Sequence, residues 1–380
     1  MNIPRWLTLG AAGWALATAG LAGAKAPAQD QLVYIGMHGS QIHAARFDPR
    51  NGTLTMVGVV ADHGRATWAV MHPHAPVLYV VDEAGNDGKA NGAVLAYRIT
   101  PGTGALSLIG TADAGGGGTT YLSIDAASAT LVAANYGGGS IATFPLAADG
   151  AIGPRASLVA DNGTGPSPRQ KSPHAHGALV APGGRYVLAA DLGADRVFVY
   201  PFTASDHAAR AEGMRAYEAP PGSGPRHMAL TADGRFVYLI NELTADLVTL
   251  RWDAAAGTLS AVDQQPTRLP GGTGPSSGSE IAVSGDGRFL YAGNRTDNTL
   301  LVYALDRASG KPGQVQRIAA GGAVPWSFTL SPDGHWLLVA NEQSDHISVF
   351  ARDPRTGTLT DTGHGLDTPK PVNITFATFR

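Results

Sequence analysis

Short apolar runs broken by polar turns occur throughout the chain, and one such arrangement is repeated seven times. In each copy an apolar strand ends in a polar residue, a turn containing Gly, Asp or Asn follows, and a second apolar strand begins. The first copy reads LVYIGMHGSQIHAARF and the last reads WLLVANEQSDHISVF. Equivalent positions in successive copies lie 45 to 55 residues apart. A strand-based repeat of this length is typical of the blades of a β-propeller.

Two further strands are predicted around each copy. Segments such as GPRHMALTADGRF precede the later copies, and their Asp-Gly pairs favour a tight hairpin because type I′ turns need positive φ at both central positions. Segments such as NGTLTMVGVV and TGTLTDTG follow the copies and supply an outer strand. The sequence therefore predicts an all-β, seven-bladed β-propeller with four antiparallel strands in each blade.

The two ends of the repeat complement each other. The segment LVYIGMH lacks an inner strand before it, whereas PKPVNITFATF has the pattern of an inner strand with nothing after it. We expect residues near 370–378 to supply the inner strand of the first blade, which leaves no sheet edge exposed. No second domain or long linker is visible, so residues 29–380 are predicted to form a single propeller domain.

The N-terminal residues have a different composition. Arg5 is followed by the uncharged run WLTLGAAGWALATAGLAG and then by a small-x-small pattern that ends at Ala24. This arrangement predicts a secretory signal peptide over residues 1–24, with cleavage as late as Ala28, the alternative being an uncleaved anchor. Because the chain has no Cys, the exported protein would contain no disulfide. We therefore expect a periplasmic or secreted bacterial protein.

Composition narrows the range of partners. The 380 residues are 44% hydrophobic and 15% charged, which is ample for a large folded core. The net charge is −3 and no cluster of Lys and Arg occurs, so neither nucleic acid nor an anionic membrane is an expected partner. We expect a monomer whose partner is a small molecule.

The geometry of a blade predicts where chemistry would lie. A short hairpin joins the first two strands, so the start of the first and the end of the second reach the same face near the axis. Aligned blades place these residues at the first position: Thr67, Thr120, His176, Arg226, Ser279 and Trp326. They place these at the second: Glu83, Tyr136, Leu192, Glu242, Arg295 and Glu342. Such a mixture of imidazole, guanidinium, carboxylate and phenol groups favours a polar binding site.

Hairpin register pairs some of these residues. A turn at Asp233-Gly234 sets Arg226 opposite Asn241 and beside Glu242, an arrangement that can bind an anionic group or an oxyanion. A turn at Gly183-Gly184 sets His176 opposite Asp191, and a histidine held by a carboxylate is suited to moving protons near neutral pH. Alternatively, Arg226 and Glu242 form an ion pair that only stabilises the fold. Trp68 and Trp326 fit packing and substrate stacking equally well.

Several segments together resemble a known family. PHAHG, LGADRVFVY, GPRH, NE, GNR and AANYGGGSIATF are similar, in order and in blade position, to segments of the seven-bladed lactonase family. That family includes bacterial propeller-type 6-phosphogluconolactonases and fungal carboxymuconate lactonizing enzymes. The resemblance implies a lactone hydrolase that needs no cofactor. It also implies a catalytic set, which falls here on His176 (or His174), Arg226, Glu242 and Arg295.

The remaining predicted contacts surround this set. We expect the substrate, a lactone or an organic acid, also to meet the following residues: His174, His227, Asp191, Tyr136 and Glu342. No metal site is predicted, because the sequence has no HExxH, EF-hand or paired-histidine pattern.

Two departures from the family pattern count against a phosphorylated substrate. Trp326 stands where members often carry Arg, and Tyr121 stands where His is common. Two alternatives remain open: a non-catalytic periplasmic binding or scaffold propeller, and an enzyme that lactonizes a muconate.

Overall fold

The computed structural model describes Met1 and residues 30–378, and in this range it shows seven antiparallel sheets arranged as the blades of a ring. The predicted signal peptide lies outside the described residues, apart from Met1. Among the residues that are described, no helix combines the length and the apolar character needed to cross a membrane. The seven-bladed β-propeller predicted from the repeat is confirmed.

The strands follow one another in chain order. Blades one and two contain β1 (Gln31–Met37), β2 (Gln41–Asp48), β3 (Thr53–Asp62), β4 (Ala69–Met71), β5 (Val77–Asp82), β6 (Ala93–Ile99) and β7 (Leu106–Asp113). Blades three and four contain β8 (Thr119–Asp125), β9 (Thr130–Asn135), β10 (Ser140–Pro145), β11 (Ser157–Ala160), β12 (Ala175–Val180), β13 (Tyr186–Asp191), β14 (Arg196–Thr203), β15 (Ala208–Ala209) and β16 (Arg215–Glu218).

The later blades are more regular. Blades five and six contain β17 (Pro225–Leu230), β18 (Phe236–Asn241), β19 (Asp246–Asp253), β20 (Thr258–Pro266), β21 (Gly278–Val283), β22 (Phe289–Asn294), β23 (Thr299–Leu305) and β24 (Pro312–Ala319). Blade seven and the closing strand are β25 (Pro325–Leu330), β26 (Trp336–Asn341), β27 (His346–Arg352), β28 (Leu359–Asp367) and β29 (Pro371–Phe376), with a 3-10 helix at Glu342–Ser344. Blade four departs from the four-strand rule, because β15 and β16 both pair with β14.

Ring closure follows the prediction. Strand β29 pairs antiparallel with β1, from Val33 opposite Phe376 to Met37 opposite Pro371. The first blade thus combines strands from both ends of the repeat. Strand β29 covers the edge of β1 that would otherwise be unpaired.

The core lies between the blades. Seven apolar clusters each join two neighbouring sheets, and the second strands, such as β9 and β18, are buried along their whole length. A buried tyrosine in four of these second strands donates its hydroxyl proton to a glycine carbonyl in the next blade, as Tyr34 does to Gly104 (3.0 Å) and Tyr238 to Gly310 (2.8 Å). These bonds satisfy buried hydroxyls and tie adjacent blades together.

Candidate active site

Residues from all seven blades line one pocket with a cavity volume of about 180 Å³. Its lining residues are His38, Thr67, Trp68, Glu83, Asn86, Thr120, Tyr136, Arg169, His176, Arg226, His227, Glu242, Arg295 and Trp326. The fold therefore brings together the four side chains predicted as catalytic, which lie far apart in sequence. A concave site that combines converging polar groups with aromatic side chains suits a small-molecule ligand.

A β-bulge at the start of the first strand positions several of these side chains. In blade five, Pro225 pairs with Asn241 and His227 with Ile240, so Arg226 is the extra residue. The same irregularity makes His176 the extra residue of blade four. Trp326 occupies this place in blade seven and Thr120 in blade three. Bulges re-aim side chains, and here the re-aimed residues line the pocket.

These bulges correct the predicted register by one residue. Ala175, not His176, faces Asp191, and the Asp191 carboxylate accepts hydrogen bonds from the backbone N–H groups of His174 (2.9 Å) and Ala194 (2.7 Å). The predicted pairing of His176 with Asp191 is therefore wrong. Asp191 is fully buried and does not line the pocket, so it serves the turn after β13 and not a substrate.

Glu242 is the centre of the charged cluster. Its Oε2 atom lies 3.0 Å from Nε of Arg226 and 2.8 Å from Nη2 of Arg295. Its Oε1 atom lies 2.6 Å from Nη1 of Arg169. Three guanidinium groups thus converge on one carboxylate, and the cluster keeps an excess of positive charge. Such an arrangement is suited to an anionic group or a developing oxyanion.

Electrostatics keep this cluster ionised. Burial alone would raise the pKa of the Glu242 carboxyl, but Arg295 and Arg226 outweigh burial and hold the pKa well below its usual value. Burial, together with the like charge of Arg295, lowers the pKa of Arg226 to about 10. At neutral pH, Glu242 is a carboxylate and Arg226 a guanidinium. Glu242 is consequently a weak base.

His176 is neutral beside this cluster. Burial, and then the charge of Arg226, lowers its pKa well below the ordinary value for histidine. Its Nε2 atom lies 3.6 Å from Oε2 of Glu242, and its Nδ1 atom has no hydrogen-bond partner among the described residues. An unprotonated imidazole at this position can accept a proton.

The other predicted contacts are divided between the pocket and its surroundings. Tyr136 and His227 line the pocket, whereas His174 and Glu342 lie behind it. The His174 ring stacks on Tyr136, with ring centres 4.5 Å apart, and so supports that side chain. Glu342 lies 3.3 Å from Nδ1 of His38, which lines the pocket. His174 and Glu342 are therefore neighbours of lining residues and do not themselves form the wall.

Three lining residues were absent from the sequence prediction. His38 follows β1 as Glu83 follows β5, so extending the blade alignment to the first blade would have found it. Asn86 and Arg169 lie in loops whose lengths differ between blades, and the repeat gives no signal for them. Asn86 donates to Glu83 (2.6 Å), and Arg169 binds Glu242 and the Tyr136 hydroxyl.

Aromatic rings form part of the wall. Trp326 lies under two arginines, with its ring centre 4.6 Å from Cζ of Arg295 and 6.0 Å from that of Arg226. Trp68 packs against Tyr121 and the ring of His227. Cation–π contacts favour the observed positions of both guanidinium groups. Within the described part of the chain, no group of three or more His, Cys, Asp or Glu side chains is placed to hold a metal ion.

Comparison with known proteins identifies the family. The matching family model is described as "Lactonase, 7-bladed beta-propeller", and the match spans residues 32–376. The chain belongs to this family. The resemblance inferred from the repeat and the short segments is thereby confirmed, and the family is one of lactone hydrolases.

Named members of the lactonase family resemble the chain along nearly its whole length. It is 30% identical over 348 residues to the 6-phosphogluconolactonase of Bacillus subtilis, which covers 90% of this chain and 97% of that protein. It is 29% identical to the 6-phosphogluconolactonase of Pectobacterium carotovorum, with coverage of 87% and 93%. The structure of a periplasmic gluconolactonase from Pseudomonas aeruginosa superposes with a TM-score of 0.85 and 32% identity, covering 93% of this chain and 100% of that one.

Proposed function

We propose that the protein hydrolyses a sugar-type lactone in the pocket at the mouth of the propeller channel. The observation that carries this proposal is the convergence of Arg169, Arg226 and Arg295 on Glu242 inside a pocket lined by every blade. The lactonase family supplies the reaction class, and the cluster supplies the charge that this reaction requires.

The chemistry follows from the charges. Attack of water on the ring carbonyl develops negative charge on the carbonyl oxygen, and fixed guanidinium groups stabilise it without reorganisation. Arg226 and Arg295 are buried and held by Glu242, so they are oriented before the substrate arrives. The same groups then face the carboxylate of the opened product. No step requires a cofactor.

His176 is the group of the predicted set best suited to accept the proton of water. Its imidazole is neutral at neutral pH and its Nδ1 atom has no partner among the described residues, whereas arginines engage both carboxylate oxygens of Glu242. We assign Glu242 to orienting the arginines.

An unphosphorylated aldonolactone is the substrate that we propose. Trp326 fills the place where an arginine is common in the family, and it contacts Arg295 and Arg226 with its ring. A similar protein is named a periplasmic gluconolactonase, although other relatives are named 6-phosphogluconolactonases. The muconate-lactonizing and binding-propeller alternatives gain no support from these relatives.

We also propose that the protein is exported after cleavage of residues 1–24 or 1–28. The apolar N-terminal run and the similarity to a periplasmic gluconolactonase support this location. N-terminal sequencing of the protein recovered from a periplasmic fraction would test it. A mature protein that still begins at Met1 would contradict the cleavage.

Turnover of glucono-δ-lactone by purified variants tests the lactonase proposal. Arg226→Ala and Glu242→Gln should each reduce kcat/KM by at least about 100-fold, as expected when a group that stabilises the oxyanion is lost or misplaced. Arg235→Ala is the matched control, because that arginine forms an exposed pair with Asp233 on a hairpin. Rates must be corrected for spontaneous hydrolysis. Wild-type turnover no faster than the spontaneous reaction would refute the proposal.

A further inference from the structure

Glu280 and His227 form a buried pair that no step above uses. Both oxygens of the Glu280 carboxyl lie near Nδ1 of His227, at 3.1 and 3.2 Å. The two side chains are almost fully buried, with exposures of 6% and 2%. Burying a carboxyl and an imidazole costs free energy, because each group loses its hydration. Such a pair therefore calls for a structural or a functional explanation.

The pair lies between two cavities. His227 lines the pocket described above, and Glu280 lines a second cavity that also touches Trp68 and Tyr121. Glu280 reaches this place because β21 has a bulge between Gly278 and Ile281. The carboxyl is therefore close enough to solvent to exchange a proton although it is buried.

Arg226 favours a ring proton on Nε2 of His227. Its Nη1 atom lies 3.2 Å from Nδ1 of His227 and also donates to the Ser279 carbonyl. A guanidinium can only donate, so an N–H group at Nδ1 would face another donor, and we take Nδ1 as the unprotonated nitrogen. A carboxylate oxygen so near an unprotonated nitrogen would be repelled unless it carries a proton itself. Oε1 of Glu280 already accepts from the N–H of Ile281 (3.0 Å), so Oε2 donates to Nδ1.

This assignment leaves one donor without an acceptor. The Nε2 atom of His227 has no hydrogen-bond partner among the described residues, and the side chain lines the pocket. A buried N–H group without a partner costs free energy unless a ligand supplies an acceptor. A substrate oxygen is an acceptor of the right kind.

The charges around the pair agree with this protonation state. Burial raises the pKa of Glu280 to about 7, against the opposing charge of Arg226. Burial, and then Arg226, lowers the pKa of His227 well below its usual value, so the ring is neutral. Tyr121, the other titratable side chain near Glu280, has a raised pKa because of burial and is neutral as well.

We propose, on the basis of the lactonase function above, that His227 donates the proton to the leaving ring oxygen and that Glu280 is its positioning residue. As the bond between the carbonyl carbon and the ring oxygen breaks, the electron pair stays on that oxygen. The oxygen takes the Nε2 proton, and the Glu280 proton moves to Nδ1.

The cycle closes without an external proton donor. The proton that water gives to His176 passes to Nε2 of His227, because the two ring centres are 5.0 Å apart. The proton on Nδ1 of His227 then moves back to Glu280. The new carboxylic acid then ionises in solvent.

The test is the pH dependence of kcat/KM for glucono-δ-lactone between about pH 5.5 and 8, after subtraction of spontaneous hydrolysis. Wild-type kcat/KM should fall as pH rises through about 7, because ionised Glu280 draws the ring proton to Nδ1. His227→Asn should lower kcat by about 100- to 1000-fold with little change in KM. Glu280→Gln keeps a donor to Nδ1 but cannot exchange a proton, so the fall above pH 7 should disappear and kcat should drop about 10- to 100-fold.

A matched control comes from the outer surface. Asp367 holds Nδ1 of His346 at 2.7 Å on an exposed edge of blade seven, and Asp367→Asn should leave both kcat and the pH profile unchanged. A structural role of Glu280 alone would change stability without removing the decline above pH 7.

The outcomes separate this proposal from the previous one. Wild-type turnover at the spontaneous rate overturns both. An active wild type, with His227→Asn within threefold of its kcat or with an unchanged decline in Glu280→Gln, overturns only the proton-donor role. If either variant fails to fold, the ¹⁵N NMR signals of the histidine rings in the wild type decide. A His227 ring protonated at Nε2 below pH 7 supports the proposal, and one protonated at Nδ1 refutes it.

Discussion

The Arg169 guanidinium lies 2.6 Å from the Glu242 carboxylate. This ion pair links a loop before blade four to the residue that follows the second strand of blade five, 73 residues later in the sequence. The other terminal nitrogen of Arg169 donates to the Tyr136 hydroxyl at 3.0 Å. Arg226 and Arg295 are buried, but about half of the Arg169 side chain is exposed. Arg169 is therefore the member of the cluster that can exchange Glu242 for an incoming anionic group.

Arg169→Ala should weaken substrate binding more than chemistry. The buried arginines stay in place, so we expect KM to rise about tenfold while kcat changes little, because the lost contact is with the ground state as much as with the transition state. Steady-state kinetics with glucono-δ-lactone would measure both constants. Arg210→Ala, at an exposed pair with Asp206, is the control. A large fall in kcat with unchanged KM would instead place Arg169 among the groups that act on the transition state.

Glu242 also contributes to the stability of the folded protein. Replacing Glu242 with Leu leaves two buried guanidinium groups without a counter-charge, which should lower the free energy of unfolding by about 3–5 kcal/mol. The double variant Arg226→Met/Glu242→Leu removes one of those charges and should recover part of the loss. Denaturant unfolding of the two variants and the wild type would show the difference. A double variant less stable than the single one would contradict this account.

The sequence predicts the parts of the site that follow the repeat. His176, Arg226 and Trp326 occupy the same place in three blades, and the period alone locates them. The period does not show the bulge that reorients these side chains. One inserted residue leaves apolar and polar positions alternating both before and after the bulge. The predicted contact between His176 and Asp191 failed for this reason.

Loops carry the rest of the site. Arg169 and Asn86 reach the pocket from connections that have no counterpart in the other blades, so alignment of the blades cannot find them. Glu280 escaped for a different reason: it follows Ser279, the residue aligned with His176 and Arg226, and faces the second cavity. Glu280 is the blade-six equivalent of His227, so aligning the next position as well would have drawn attention to it. Its location in the second cavity depends on the bulge of β21.

Trp326→Arg tests the proposed preference for unphosphorylated substrates. A fourth positive group should favour a phosphorylated lactone, and we expect the ratio of kcat/KM for 6-phosphogluconolactone to that for glucono-δ-lactone to rise about tenfold. The variant also loses the cation–π contact with Arg295 and adds a like charge, so its melting temperature should fall. Trp336→Phe, at the outer contact with Phe47, controls for the loss of an indole. An unchanged ratio would remove Trp326 from substrate selection.

Two buried carboxyl groups, Asp161 and Asp191, influence each other between blades three and four. Burial, and then a hydrogen bond and charge repulsion from Asp191, raises the pKa of Asp161 well above its usual value. The Tyr200 hydroxyl donates to the other side of the Asp161 carboxyl. The folded protein thus prefers protonated Asp161, while the unfolded chain ionises it at about pH 4.

Stability should therefore depend on pH through this carboxyl. Because folding raises the pKa of Asp161, its contribution to stability is complete below the pKa that it has in the unfolded chain. That contribution is lost as pH rises through the higher pKa of the folded protein. Asp161→Asn keeps a donor for Asp191 and an acceptor for Tyr200 but cannot ionise. Its melting temperature should equal that of the wild type near pH 4 and exceed it by several degrees at pH 8. Glu212→Gln, an exposed change in blade four, should show no such trend. A variant that is less stable than the wild type at every pH would mean that Asp161 is ionised in the folded protein.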